Sequence, residues 1–217
     1  MSPERGRWVD AAGYARASHH AHFLAYEQPF WSVTVEVDVT DLHGASRAAD
    51  GPSFFLACMY ASMRAANAVS ELRQRLRAER IWEHERVEVG AAVLRADDTF
   101  GFAYFAWADA FEGFEPRARA EVARVSREAG PSDPRDDRDD LVHHSVLPWL
   151  RFTAFANARR GGGESTPKVV FGRHGERDGR RWMPVAIEVH HALVDGLHVA
   201  RYVAGLEREL GAWGARR

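Results

Sequence analysis

The residues best suited to chemistry stand together late in the chain, in Val189-His190-His191-Ala192-Leu193-Val194-Asp195-Gly196-Leu197-His198. Imidazole is the side chain that takes and returns a proton near neutral pH, so a histidine here is a candidate general base. The run follows a strand-like segment, Met183 to Val189, and precedes a helical one. Side chains alternate along a strand, so one of two adjacent histidines can face the interior and the other a cleft. Asp195-Gly196 suits a turn and a helix entry, Asp with a capping oxygen and Gly with a permissive backbone. Behind it Val199, Tyr202, Val203, Leu206, Leu210 and Trp213 recur at helical spacing and make one apolar stripe. Spacing alone leaves two readings open. The pair is either a packed, hydrogen-bonded element of the core or a base on rigid scaffolding, and Asp195 is either a plain helix cap or part of the site.

The full string His-His-Ala-x-x-Asp-Gly-x-His, followed by Val-Ala-Arg, resembles the motif of type A chloramphenicol acetyltransferases. A looser His-x-x-x-Asp-Gly also occurs in dihydrolipoamide acyltransferases and other CoA-dependent acyltransferases. The resemblance covers nearly the whole chain and implies roles residue by residue. His191 matches the general base, with His190 a structural neighbour turned into the protein. Asp195 matches an aspartate that pairs with an arginine of the first helix, here Arg16, and holds the loop. Ser145, in Ser145-Val146-Leu147-Pro148-Trp149, matches the Ser-x-x-Pro-Trp serine that donates to the oxyanion. Arg173 matches a lysine near the CoA phosphates.

Other positions depart from the pattern. Val170 stands for a threonine that helps hold the intermediate, Glu188 for a glutamine, and Leu197 for an aromatic residue. Phe23 replaces a tyrosine that bonds the acceptor, Pro29 a pocket cysteine, and Ser53 a second lysine near CoA. Phe23, Trp31, Phe100, Phe102, Phe155 and Val170 are candidates for an acceptor pocket, although aromatic residues at strand positions are more often core. The resemblance implies acetyl transfer from acetyl-CoA to a hydroxyl of chloramphenicol by direct attack, in a homotrimer with active sites between subunits. Alternatives are another small alcohol or antibiotic as acceptor, or a non-catalytic ligand-binding relative. A lipoamide acyltransferase is disfavoured, because no lipoyl-carrying region precedes the motif-bearing domain.

The rest of the chain must position these residues. Tyr14 to Tyr26 reads as a helix in which Tyr14, His22, Phe23 and Tyr26 share a face. Trp31 to Thr40 alternates strictly, with Trp31, Val33, Val35, Val37 and Val39 on one side. Ser53 to about Ala66 is apolar or small throughout and reads as a buried helix, with Pro52 in its first turn. Glu71 to Arg75 continues into Glu79 to Glu83, where a short strand or a hairpin is expected. Strands are expected at Val87 to Leu94 and Thr99 to Trp107, and an exposed, charged helix from Glu115 to Glu128. Ser132 to Asp140 reads as a solvated connection and Gly161 to Pro167 as a loop. Lys168 to Arg173 and Trp182 to Val189 read as a hairpin turning through Gly175 to Gly179. The expected fold is α+β: a mixed β-sheet covered by helices in a two-layer sandwich, one domain over 1–217.

Composition narrows the classes. A net charge of −2 over 217 residues, with no dense basic stripe, gives no basis for nucleic-acid binding. The single cysteine, Cys58, rules out an internal disulfide, and its apolar neighbours mark it as core. Eleven histidines invite a metal reading, but no ligand frame such as His-Glu-x-x-His appears, so none is expected. No apolar run is long enough to span a bilayer and no secretory h-region opens the sequence, so the cytoplasm is the expected compartment.

Overall fold

The computed structural model describes residues 5–10, 13–128, 130, 137–159 and 164–216. The connection expected at 132–140 and the glycine loop at 161–167 therefore lie partly outside the described residues. In chain order the strands are β1 (Gly6–Trp8), β2 (Phe30–Asp38), β3 (Gln74–Arg77), β4 (Arg80–His84), β5 (Glu88–Leu94), β6 (Phe100–Phe105), β7 (Leu141–Leu147), β8 (Lys168–Gly172), β9 (Gly175–Arg177) and β10 (Arg180–His190). The α-helices are α1 (Ala17–Leu24), α2 (Thr40–Ser46), α3 (Phe54–Asn67), α4 (Phe111–Val125) and α5 (Gly196–Gly211).

The main sheet runs β2-β10-β8-β7-β5-β6, with β9 a short extra partner of β10. β7 is parallel to β5 and β8, and the other neighbours are antiparallel. The strict alternation of β2 settles its register along β10, from Trp182↔Asp38 to His190↔Phe30. Met183, Val185, Ile187 and Val189 on β10 face the helices and join one core with α3 and the stripe of α5. Each large apolar side chain so buried contributes about 1.5–3 kcal/mol, which makes this face the one the helices must cover. The architecture is the α+β mixed sheet with a helical layer that the pattern predicts.

The opposite face of the sheet carries Ser145, Lys168, Val170, Glu188 and His190, because alternation sends them away from the core. Residues 150–159 cross it. Arg151 Nη2 bonds Glu36 Oε1 (2.7 Å), Lys168 Nζ bonds Ala158 O (2.7 Å), and Arg159 pairs with Glu188 (2.6 Å).

Several elements differ from the pattern's prediction. The charged helix α4 starts at Phe111, because Phe111 and Phe114 are core residues that the run of charge conceals, and it ends at Val125. Pro52 lies just outside α3, whose N-cap is Ser53, with the hydroxyl accepting from Leu56 N (3.4 Å). Of the short strand or hairpin expected near Glu79 to Glu83 the chain forms the hairpin β3–β4, and β1 pairs with β4 to complete a second, three-stranded sheet, β1-β4-β3. Between β8 and β10 the chain makes the further short hairpin β9–β10. Its two-residue turn, Asp178-Gly179, has φ of 53° and 72°, the left-handed pair a tight hairpin demands. No helix among the described residues is long and apolar enough to cross a membrane.

Candidate active site

His191 is the first residue past β10, and the loop it opens, 191–195, is held almost atom by atom. Its own N–H donates to Pro29 O (2.7 Å). Arg16 reaches in from the start of α1. Its Nη2 donates to His191 O (3.2 Å) and its Nη1 to Leu193 O. His20 Nδ1 lies 3.1 Å from Ala192 O, and Trp31 Nε1 donates to Val194 O (3.1 Å). At the far end Asp195 N donates to His198 Nδ1 (2.9 Å). A loop so tied has few ways to move, which is what a base that must meet a proton at hydrogen-bond distance requires.

Arg16 and Asp195 form a two-pronged ion pair, Nε to Oδ2 at 2.9 Å and Nη2 to Oδ1 at 2.6 Å. Burial opposes the charge on Asp195, yet the hydrogen bond and charge of Arg16 prevail and hold its carboxyl below the usual range. Asp195 therefore stays ionised beside His191, whose Nδ1 lies 3.1 Å from Oδ1. That nitrogen is buried and out of line for a hydrogen bond, and among the described residues it has no hydrogen-bond partner. A carboxylate at this distance favours the tautomer with the proton on Nδ1, leaving Nε2 as the basic nitrogen. The ring of Phe23 stacks on the imidazole at 3.8 Å and 6°, and Trp31 lies tilted at 5.6 Å.

His190 points the other way and is buried, its Nδ1 accepting from Ala192 N (3.2 Å). Burial pulls its pKa down to about 4, so it is a neutral acceptor in the framework.

Ser145 sits far from this loop in the same chain. The sheet register puts Ser145, Val170 and Ala186 in one row across β7, β8 and β10. His191 is five residues beyond Ala186, roughly 17 Å along the strand and about 10 Å across from Ser145. The remaining pocket candidates divide accordingly. Phe23 and Trp31 flank His191. Val170 lies beside Ser145, and Phe100 and Phe102, an edge-to-face pair at 5.6 Å, project from β6 on the same face. Phe155 is in the crossing segment against Phe152 (5.7 Å).

Beyond the Ala91↔His144 pair, β5 and β7 diverge. A cavity of about 470 Å³ opens there, lined by Phe55, Met59, Val146, Trp149, Arg173 and His174 among others. Arg173 supplies a cation and His174 an imidazole to a mostly apolar wall. Ser53, where the resemblance would put a second cation, instead caps α3 and donates its N–H to Glu115 (2.9 Å). Cys58 also lines the cavity; burial pushes its thiol well up and keeps it protonated, so it is a poor nucleophile. Sequence pattern carries no sign of the bonding roles of His20 and the Trp31 indole, because the loop atoms that they hold lie 172 and 163 residues away along the chain.

Comparison with known proteins identifies the family of the chain. The family model described as chloramphenicol acetyltransferase matches residues 7–207. A chloramphenicol acetyltransferase of Streptomyces acrimycini is 29% identical over 212 residues, covering 94% of this chain and 95% of that protein. One from Vibrio anguillarum is 24% identical over 204 residues, covering 93% and 92%. A solved chloramphenicol acetyltransferase superposes with a TM-score of 0.85 at 26% identity, over 94% of this chain and 99% of the other. A probable dihydrolipoamide acetyltransferase from Listeria monocytogenes shares the fold, with a TM-score of 0.67 at 15% identity over 98% and 97%. With the match spanning nearly its full length, the chain is an acyltransferase and belongs to the chloramphenicol acetyltransferase family.

Proposed function

We propose that this acyltransferase moves an acetyl group from acetyl-CoA to a hydroxyl of chloramphenicol, with His191 as general base. The observation that carries the reading is the setting of His191, with Nδ1 buried beside an ionised Asp195 and the ring held between Phe23 and Trp31. Nε2 takes the proton of the acceptor hydroxyl as its oxygen attacks the thioester carbon. The Ser145 hydroxyl donates to the oxyanion of the tetrahedral intermediate. The intermediate collapses, the carbon–sulfur bond breaks, and His191 returns its proton to the departing sulfur. No acyl-enzyme forms.

Acetyl-CoA is a substrate that enters and leaves. The apolar cavity beside Trp149 suits a pantetheine arm, and Arg173 suits a phosphate. The register bears on assembly: with roughly 19 Å between His191 and Ser145 in one chain, both cannot reach one carbonyl. A homotrimer with the base of one subunit facing the serine of the next removes the difficulty, and the face of the sheet bearing Ser145, Phe100 and Phe102 is the surface available to a neighbour. The compartment we assign is the cytoplasm, where acetyl-CoA is at hand.

A second reading, another hydroxyl compound as acceptor, draws on one contact. Phe23 covers a face of His191 and brings no hydroxyl where the family resemblance places a tyrosine. The test is thiol release from acetyl-CoA with chloramphenicol, comparing the intact protein with His191→Ala. Release lost in the variant supports acceptor and base together. Silence with chloramphenicol but release with another alcohol keeps the chemistry and changes the substrate.

A further inference from the structure

β7 loses one of its neighbours where the oxyanion donor sits. The last residue paired to β5 is His144, and from Ser145 onward the strand is bonded on one side only, to β8. A buried polar chain grips β7 at that point from the helix side. His144 Nε2 lies 2.7 Å from Ser62 Oγ on α3, and the same Oγ lies 2.6 Å from Tyr202 OH on α5. His144 Nδ1 is 3.0 Å from Val142 O. Ser62, His144 and Tyr202 are 0%, 4% and 1% exposed.

The proton order is determined. Val142 O only accepts, so Nδ1 carries the ring proton and donates to it. Nε2 must then accept from the Ser62 hydroxyl, and Ser62 Oγ from the Tyr202 hydroxyl. Burial lowers His144 to about 3 and raises the Tyr202 phenol, so neither changes protonation near neutrality. Every ring and hydroxyl proton in the chain is used. A fully satisfied buried network specifies one geometry, and breaking any member strands the next.

We propose that Ser62, His144 and Tyr202 are positioning residues for acyl transfer: they hold β7 against α3 and α5 so that Ser145, the next residue on the opposite face, keeps its aim after β5 has left. The proposal rests on Ser145 being the oxyanion donor. Tyr202 lies two turns into α5, whose N-terminal residue follows Asp195, so the same chain also ties the strand of the donor to the helix that follows the base loop.

The experiment measures kcat, KM for both substrates and thermal midpoint for Ser62→Ala and Tyr202→Phe, each with Ser145 intact and with Ser145→Ala. With Ser145 intact, kcat should fall roughly tenfold for Ser62→Ala and about threefold for Tyr202→Phe, with KM within about twofold. In the Ser145→Ala background the same substitutions should change kcat less than about twofold, because the group they aim is gone. Equal losses in both backgrounds would show general packing and overturn the proposal, as would a full kcat with Ser145 present. If Ser62→Ala does not fold, the nearly isosteric Tyr202→Phe carries the test alone. Ser145→Ala by itself reads the oxyanion role: an unchanged kcat there removes that reading and the proposal with it, whereas a large loss there with no effect of the network variants removes the proposal only.

Discussion

His191 Nδ1 stands 3.1 Å from the Asp195 carboxylate, and that carboxylate is itself gripped by Arg16 through two nitrogens. The histidine thus sits against a charge it cannot displace, since Arg16 holds the carboxylate in place. His191→Ala should lower kcat by roughly 10²–10⁴-fold, the usual worth of a positioned base, with the fold intact by near-UV circular dichroism. A variant retaining more than about a tenth of the rate would move the base elsewhere.

Arg16→Met tests the clamp. It strands the Asp195 charge and frees the carbonyls of His191 and Leu193. A fully buried pair broken this way costs about 3–5 kcal/mol; with Asp195 near one-third exposed, about 2–3 kcal/mol is expected in urea unfolding. The rate should fall as well, since the loop of the base loses its main tether. Unchanged stability would mean that the pair is as weak as a surface bridge.

Ser145→Ala should lower kcat on the order of 10²–10³-fold with little change in the KM for either substrate, because the lost bond exists only at the oxyanion. A rise in KM with kcat unchanged would instead make Ser145 a ground-state contact.

Subunit mixing tests where the site is completed. Chains carrying His191→Ala and chains carrying Ser145→Ala should each be nearly inactive, yet regain activity when unfolded together and refolded. Some interfaces then bring an intact base to an intact serine. Co-refolded material no more active than its components would put both residues of a working site in one chain.

Acid should unfold the protein through its buried histidines. The folded pKa of His144 is about 3, while a histidine in the unfolded chain titrates near 6.5. Between those values the unfolded chain binds a proton that the folded one refuses, so stability is full above about 6.5 and falls as pH drops. The loss at pH 5 is about 2 kcal/mol for His144, and His190, at about 4, adds to it in the same direction. Asp195 contributes only at lower pH, where its depressed pKa is reached. Urea midpoints at pH 7, 6 and 5 should fall in step, and a midpoint flat to pH 5 would show that these rings titrate freely.

Local order was legible in the sequence where a period carried it. The alternation from Trp31 falls in β2 as far as Asp38, although Thr40, the end of the expected strand, opens α2. The apolar run after Ser53 is α3, and Val199 to Leu210 is the buried stripe of α5. The spacing from His191 to Asp195 likewise brings an imidazole and a carboxylate together across one turn of backbone, 3.1 Å apart. Elements that charge or brevity disguised, such as the first turn of α4 and the three residues of β1, were not legible. Their place depends on what they pack against.

What tertiary structure alone decided is which distant groups meet. Arg16 reaches Asp195 across 179 residues, His20 reaches Ala192 across 172, and Ser62 stands between His144 and Tyr202 at separations of 82 and 140. Periodicity is a property of neighbours in sequence and carries no record of such pairs; they form only when the sheet and helices close around a common core. The same closure sends Ser145 and His191 of one chain to places too far apart for one reaction, a result that follows from strand register and from nothing in either motif.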